Sequence, residues 1–288
     1  PVLQTAPSAC DPNLNQADLR LTRGPEIAIL AAVPGQSGIQ TAQGGGGMRD
    51  IITIAQSTFY RIARLKALYV MLVICILDVW AMSRYHEISL GIEKELMIDC
   101  ALALCLIVGL LSALIAAFEL PRELREKTAT MILSKPGGRS SFVWGKFLGI
   151  GALCLFNIAI VAVGSVAVYR MEFGEAPWEL LGGAALIGAE ALVLVGIGLA
   201  LSVHLSDTVS AIGVFVLFAV SHAIEMLPRV SENAVARAVT YILDIKTELS
   251  HGIEVPSAFV GYGVLYGIAY ALAAVGVANL LFYRKDVS

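Results

Sequence analysis

The sequence predicts an all-α integral membrane protein with six transmembrane helices. Two observations support this fold class. The 288-residue chain is 57% hydrophobic and only 15% charged, with a mean hydropathy of +0.77, whereas soluble domains carry about 25% charged residues. In addition, several runs of roughly 20 residues are nearly free of charge, which is long enough for a helix to cross about 30 Å of hydrocarbon.

The N-terminal 47 residues differ in composition from the rest of the chain. Residues 1–47 are rich in Pro, Gly, Gln and Asn, and they lack the basic-then-apolar order of a signal peptide. Their glycine run at 44–47 stops directly before Met48. Glycine codons are GGN, so a purine-rich ribosome-binding site translated in frame would give such a run. We expect Met48 to be the natural start and residues 1–47 to be a disordered or non-native leader. A genuine disordered tail is the alternative, and the membrane domain is predicted at 48–288.

Residues 48–66 predict an amphipathic N-terminal helix that lies in the membrane interface. One helical face carries four apolar side chains, Ile51, Ala55, Phe59 and Ile62. A basic amphipathic helix directly before a span suits the plane of the interface and is too polar to cross the membrane. We expect Arg61 and Arg64 to lie at the level of the lipid headgroups.

Six apolar stretches follow, and polar loops separate them. They are residues 67–83, 97–118, 147–169, 180–203, 208–227 and 258–283. A very short turn at 204–207 joins the fourth stretch to the fifth. Before the last stretch, residues 229–257 place apolar side chains at helical spacing, which predicts an outer helical segment. The pattern leaves open whether this segment lies on the outer face or re-enters the membrane.

The distribution of basic residues predicts the orientation of the chain. When both termini are placed in the cytoplasm, about twice as many Lys and Arg residues lie near the inner ends of the spans as near the outer ends. Because cytoplasmic loops are enriched in these residues, we expect a multi-pass protein of a prokaryotic cytoplasmic (inner) membrane with both termini cytoplasmic.

Residues 119–149 form the longest polar segment between two apolar stretches. The segment contains six basic residues, Arg122, Arg125, Lys127, Lys135, Arg139 and Lys146. Pro121 is predicted in the first turn of a short helix, and the Pro-Gly-Gly run at 136–138 is predicted to end it. The pattern favours an amphipathic helix in water that can receive a push from a soluble partner. An ordinary positive-inside loop, which needs no partner, is the alternative.

The residue order of this segment resembles that of type-2 ABC-exporter permeases. The resemblance is carried by Glu123, Arg125, Thr128, Leu133, Lys135, Pro136, Arg139, Gly145 and Lys146. The stretch IITIAQSTFYRIARLKALYVMLV, at 51–73, is also similar to the N-terminal region of these permeases. The later spans match in layout only.

The resemblance implies a transport machine made of several subunits. It implies a cytoplasmic coupling helix that contacts an ABC ATPase subunit through Glu123, Arg125, Glu126, Thr128 and Met131. It also implies an outer helical cap at 229–257 and a second permease copy, either identical or a paralogue. ATP and Mg would then be bound by the partner subunit, and this chain would hold no cofactor or metal of its own.

Glu190 is the polar residue nearest the middle of a predicted span. A charge at that depth is costly, so Glu190 is a candidate for the transport pathway. A neutral carboxyl group that hydrogen-bonds to a neighbouring helix, for example to Asn157, is an equal alternative. His222 is predicted near a span end, where water is close, and is given no catalytic role.

Small residues recur at spacings that favour close contact between helices. Gly145 and Gly149 lie four residues apart at the start of the third stretch, and Gly263 and Gly267 do so on the last. We expect these glycines to pack within the subunit rather than across a dimer. The five cysteines show no metal-ligand spacing, so we interpret them as small apolar residues.

The resemblance to ABC permeases implies transport rather than catalysis. The sequence contains no GxxxxGK[ST] phosphate loop, no HExxH and no GxSxG, so the chain is not expected to be an enzyme. We expect the permease subunit of an ABC exporter, which contacts membrane lipid and no nucleic acid. The alternatives are a membrane anchor or assembly subunit, and an ion-coupled secondary transporter with Glu190 as proton carrier. The absence of inverted repeats weakens the last of these.

Overall fold

Seven α-helices and no strands make up the part of the chain that the computed structural model describes, residues 46–64, 66–82, 93–125, 138–224 and 257–284. The helices are α1 (Gly46–Ala63), α2 (Lys66–Met82), α3 (Glu93–Arg125), α4 (Gly138–Phe173), α5 (Trp178–His204), α6 (Asp207–Ile224) and α7 (Ser257–Arg284). The all-α prediction is confirmed for these residues. Residues 1–45 of the predicted leader and residues 229–256 of the predicted outer segment lie outside the described ranges.

Four of the described helices, α3, α4, α5 and α7, are long and apolar enough to cross a membrane. The remaining two helices that coincide with predicted spans are shorter, since α2 has 17 residues and α6 has 18, against about 20 for a typical span. The prediction of a membrane protein is thus supported by four helices that are long and apolar enough to span.

Helix α5 lies at the centre of the packing. It contacts α3, α4, α6 and α7, and 72% of its most apolar stretch is buried, against 22% for α7. Glycines allow these contacts to be close. A Cβ atom added at Gly198 would lie 3.0 Å from the Ala113 carbonyl oxygen on α3, and one at Gly196 would lie 3.2 Å from the Ala271 carbonyl oxygen on α7. Close backbone contact of this kind is how helices associate where lipid removes the hydrophobic drive.

Helix α1 packs along the first turns of α4. Thr58 and Ile62 of α1 are buried, and the rest of the predicted apolar face is half-buried. A Cβ atom at Gly145 would lie 2.7 Å from the Ile54 Cβ atom, and one at Gly149 would lie 2.6 Å from the Ala55 carbonyl oxygen. The two glycines therefore let α1 approach α4 closely, which places the last turn of α1 beside α3 and α4.

The predicted helix start at Pro121 is wrong. Helix α3 is continuous from Glu93 to Arg125, with Pro121 inside it. Proline has no N–H to donate to the carbonyl oxygen of Ala117, so this turn is weakened. Glu119 and Glu123, on either side of Pro121, make ion pairs with neighbouring helices that hold the turn in place. The second predicted span and the start of the predicted coupling helix therefore belong to one continuous helix.

The predicted start of the third span, near residue 147, is also too late. Helix α4 begins at Gly138, and Phe142, Val143 and Lys146 are buried. The Phe142 ring lies 6.0 Å from the Phe282 ring of α7, so this end of α4 is held by packing. Both ends of the segment predicted to lie in water are thus partly buried, and only its middle, 126–137, lies outside the described residues.

Two short turns connect α4, α5 and α6. Gly174 ends α4 with a φ of 74°, a conformation that glycine adopts without the strain a Cβ atom would cause, and its N–H donates to the Arg170 carbonyl oxygen at 3.0 Å. Leu205 and Ser206 form the second turn, as predicted, so α6 runs back alongside α5.

Candidate functional site

Two carboxylates and two cations from three helices meet near the end of α3. Arg61 of α1 contacts the carboxylates of both Glu119 and Glu123 on α3. Lys146 of α4 places its Nζ atom 2.5 Å from Glu123 Oε1 and 3.7 Å from Glu119 Oε2. We call these four residues the charge cluster. Its two negative and two positive charges balance.

The charge cluster is buried except at Arg61. Lys146 is 2% exposed, Glu119 8% and Glu123 9%, whereas the Arg61 side chain is 40% exposed. A buried charge costs several kcal/mol unless it is paired with good geometry, so Lys146 depends on the two carboxylates that face it. Its Nζ atom also lies 5.7 Å from the centre of the Phe142 ring, which adds a cation–π contact. Arg61 covers the side of the cluster that is open to solvent.

Local sequence explains how the charge cluster assembles. Glu119 and Glu123 are four residues apart, so they lie on one face of α3. Gly145 and Gly149 bring α1 against α4, and this contact delivers Arg61 to that face. The sequence does not predict the charge cluster, because it places Glu119 and Lys146 in a segment expected to lie in water. The available signals were a lysine between Phe142 and Phe147 and, earlier in the chain, two carboxylates at helical spacing.

The residues predicted to contact an ATPase are only partly described. Glu123 lies in the charge cluster, where Arg61 and Lys146 hold its carboxylate. Arg125 is the last residue of α3. Glu126, Thr128 and Met131 lie outside the described residues, so their predicted contacts stay predictions.

A second buried polar pair joins α5 to α6. Glu190 is 4% exposed, and its Oε1 atom lies 4.0 Å from His222 Nε2. The other ring nitrogen of His222, Nδ1, lies 3.1 Å from the Phe218 carbonyl oxygen. Asn157, the suggested partner of Glu190, does not donate to it, because its side-chain nitrogen makes no hydrogen bond with any residue in the described ranges. The expectation that His222 lies close to water missed this pairing.

Three of the four predicted packing glycines, Gly145, Gly149 and Gly267, lie in contacts within the chain. Gly145 and Gly149 face α1, as described above. A Cβ atom at Gly267 on α7 would lie 2.7 Å from the Ala189 Cβ atom on α5. Gly263 is half-buried on α7.

The described residues offer neither a metal site nor a disulfide. No group of three or more His, Cys, Asp or Glu side chains within the described ranges is placed to hold a metal ion. The cysteines of these ranges, Cys75, Cys100, Cys105 and Cys154, are free thiols.

Comparison with known proteins gives a family without an assigned activity. Residues 96–288 match the family described as "Protein of unknown function (DUF2705)". The matched region covers more than half of the chain and includes nearly all of α3 and the whole of α4 to α7. It contains Glu119, Glu123 and Lys146 of the charge cluster, and also Glu190 and His222, but not Arg61. No curated protein matches the chain.

Proposed function

We propose that the chain, which belongs to the DUF2705 family, is the membrane-spanning permease subunit of an ATP-binding-cassette exporter. In this proposal a separate cytoplasmic subunit binds and hydrolyses ATP with Mg, and this chain provides the path for the exported substrate. The observation that supports it most directly is the charge cluster at the end of α3.

The charge cluster favours a coupling role because of where it lies. Helix α3 ends at Arg125 and α4 begins at Gly138, so the segment 126–137 joins the two helices that carry Glu119, Glu123 and Lys146. Arg61 connects α1 to the charge cluster. A displacement of this segment by a soluble partner is therefore passed to three helices at once. An ordinary positive-inside loop would need exposed basic residues but no buried carboxylates to match them.

The resemblance to type-2 ABC permeases agrees with this location. Glu123 and Lys146 belong both to the residues that carry the resemblance and to the charge cluster. We assign Glu123 the role of anchoring the coupling segment. Arg125, Glu126, Thr128 and Met131 are assigned the contact with the ATPase subunit.

The proposed topology has six spans with both termini cytoplasmic. Helices α2 and α6 are taken as the two additional spans. Their 17 and 18 residues give lengths of about 26 and 27 Å at 1.5 Å per residue. A bilayer accommodates spans a few ångströms shorter than its hydrocarbon thickness by local thinning, at modest cost.

We propose that a second permease copy packs beside the first. Helix α7 leaves most of its surface uncovered, and Tyr262, Leu265 and Leu280 are more than 60% exposed. Within a membrane such a surface faces either lipid or another chain, and the resemblance favours a dimer.

Co-purification tests the proposal. The full chain is purified from native membranes in mild detergent, and ATPase activity is measured on the material that is retained. We expect an ATPase subunit to be retained, and we expect Glu126→Lys to reduce its retention by about tenfold, as the loss of one good interface contact does. Lys94→Glu, at the exposed opposite end of α3, is the matched charge reversal and should leave retention unchanged.

Either of two results would overturn the exporter proposal. One is a chain that purifies without any ATPase activity, which would favour the anchor or assembly subunit. The other is transport driven by a pH gradient without ATP and lost in Glu190→Gln, which would favour an ion-coupled transporter. The location of Glu190 beside His222 is the observation that favours this second candidate function.

A further inference from the structure

Glu190 and His222 lie at the same depth inside the membrane-spanning helices. Helices α5 and α6 run in opposite directions from the turn at 205–206, and each of the two residues lies about 24 Å along its helix from that turn at 1.5 Å per residue. Glu190 is also about 18 Å from Trp178 at the other end of α5. With about 30 Å of hydrocarbon to cross, both side chains lie well inside it. Ionisable groups at such depth pair with one another or face water.

Hydrogen bonding fixes which nitrogen of His222 exchanges a proton. The Phe218 carbonyl oxygen, 3.1 Å from Nδ1, can only accept, so Nδ1 carries a hydrogen. Nε2 is therefore the nitrogen that gains or loses a proton, and it faces Glu190 Oε1. In water an imidazole is a stronger base than a carboxylate.

One further feature favours the positively charged form of His222. The Phe218 ring lies 4.3 Å from the imidazole, between ring centres, and an aromatic face attracts a cation.

The described apolar parts of the helices packed against α5 and α6 contain no charged side chain. The helices that contact α5 or α6 are α3, α4 and α7. Within 100–118, 147–168 and 258–282, the apolar parts of these helices, the titratable side chains are thiols and phenols, which are uncharged at neutral pH. They are Cys100, Cys105, Cys154, Tyr262, Tyr266 and Tyr270.

We propose that Glu190 and His222 form a proton-binding site inside the membrane, in which an imidazolium–carboxylate pair holds α6 against α5 and separates when Glu190 takes up a proton. The 4.0 Å separation is longer than a hydrogen bond, so charge attraction holds the two groups together. A second proton on the pair neutralises Glu190 and removes that attraction. Phe215, Val216 and Val220 of α6 are exposed, but the helix also packs against α3 and Val214 is fully buried, so the pair adds to this packing. The site does not depend on the exporter proposal.

Chemical labelling of Glu190 tests the site directly. A hydrophobic carbodiimide adds to a carboxyl group only when that group is protonated, and it forms an N-acylurea adduct from which no atom is lost. The full chain in mild detergent is treated at a series of pH values, and the adduct on the Glu190 peptide is quantified by mass spectrometry. In the wild type we expect labelling only at acid pH. In His222→Gln we expect labelling to persist to a pH higher by about one unit or more, the usual effect of losing an opposite charge.

Three further variants make the result decisive. His204→Gln changes an exposed histidine at the end of α5, the helix that carries Glu190. It should leave the labelling profile of Glu190 unchanged. His222→Lys restores a positive charge and should bring the profile back towards that of the wild type, which a purely structural defect would not do. Glu190→Gln should remove the adduct. Coincident profiles for the wild type and His222→Gln, or labelling of wild-type Glu190 through neutral pH, would overturn the proposal.

Discussion

At the scale of single residues, Lys146 is the charge on which the fold depends most. It is 2% exposed and has Glu119 and Glu123 as its counter-charges. Replacing Lys146 with Met removes the buried cation that faces the Glu119 and Glu123 carboxylates. We expect a loss of about 3–5 kcal/mol in the free energy of unfolding, the cost of breaking a buried ion pair from one side. Denaturant unfolding of the detergent-purified chain measures it.

A surface ion pair provides the control for Lys146. Lys94 and Glu175 are 3.6 Å apart, with side chains 54% and 78% exposed, so Lys94→Met should cost less than about 1 kcal/mol. Adding Glu123→Gln to Lys146→Met should recover part of the stability, because the two residues interact directly. Equal losses for Lys146→Met and Lys94→Met would contradict the role given to the charge cluster.

Residues that stand out in the local sequence were predictable, and contacts between helices were not. Glu190 could be singled out from sequence, because one carboxylate within a long apolar stretch is conspicuous. His222 could not, because its importance comes from the fold of α6 back along α5. In the same way, Arg61 and Lys146 read as ordinary cytoplasmic cations until three helices bring them to Glu119 and Glu123.

At the scale of helices, the contact between α1 and α4 depends on glycine. A Cβ atom at Gly149 would lie 2.6 Å from the Ala55 carbonyl oxygen and 2.9 Å from the Thr58 Cβ atom. Gly149→Ala should therefore push α1 away and reduce the free energy of unfolding by about 1–3 kcal/mol, the usual cost of overpacking. It should also make α1 more accessible to protease.

Gly164→Ala, on the same helix, is the matched control. A Cβ atom there meets nothing within 4 Å, and alanine favours a helix over glycine by about 0.5–1 kcal/mol. We expect a small gain in stability and no change in proteolysis. If both substitutions had the same effect, α1 would not be held by close contact at Gly149.

The existence of the helices was predictable, but some of their ends were not. Apolar stretches located α5 and α7 to within a few residues, since nothing but apolar composition defines them. The continuation of α3 through Pro121 and the early start of α4 at Gly138 depend on ion pairs and on the packing of Phe142. These are contacts between helices, and a local sequence pattern does not report them.

At the scale of the whole molecule, the proposed orientation predicts which turns face the cytoplasm. In a cysteine-free background, Glu175→Cys between α4 and α5 should react with a membrane-impermeant maleimide on intact cells. Ser206→Cys, between α5 and α6, should react only after the membrane is permeabilised. Because α5 is long and apolar enough to span, the two turns belong on opposite sides. Labelling of Ser206→Cys but not Glu175→Cys in intact cells would show that the proposed orientation is inverted.

The charge cluster also has a consequence for how the chain is made. During insertion, the translocon orients a nascent chain mainly by its Lys and Arg residues, and Asp and Glu contribute little. Arg61 and Lys146 can give this signal only before α1, α3 and α4 meet. Once those helices pack, Glu119 and Glu123 neutralise the same two charges. In the proposed orientation, residues that direct insertion early in biogenesis therefore become buried ion pairs later, and the mature protein presents less positive charge to the cytoplasm than its sequence suggests.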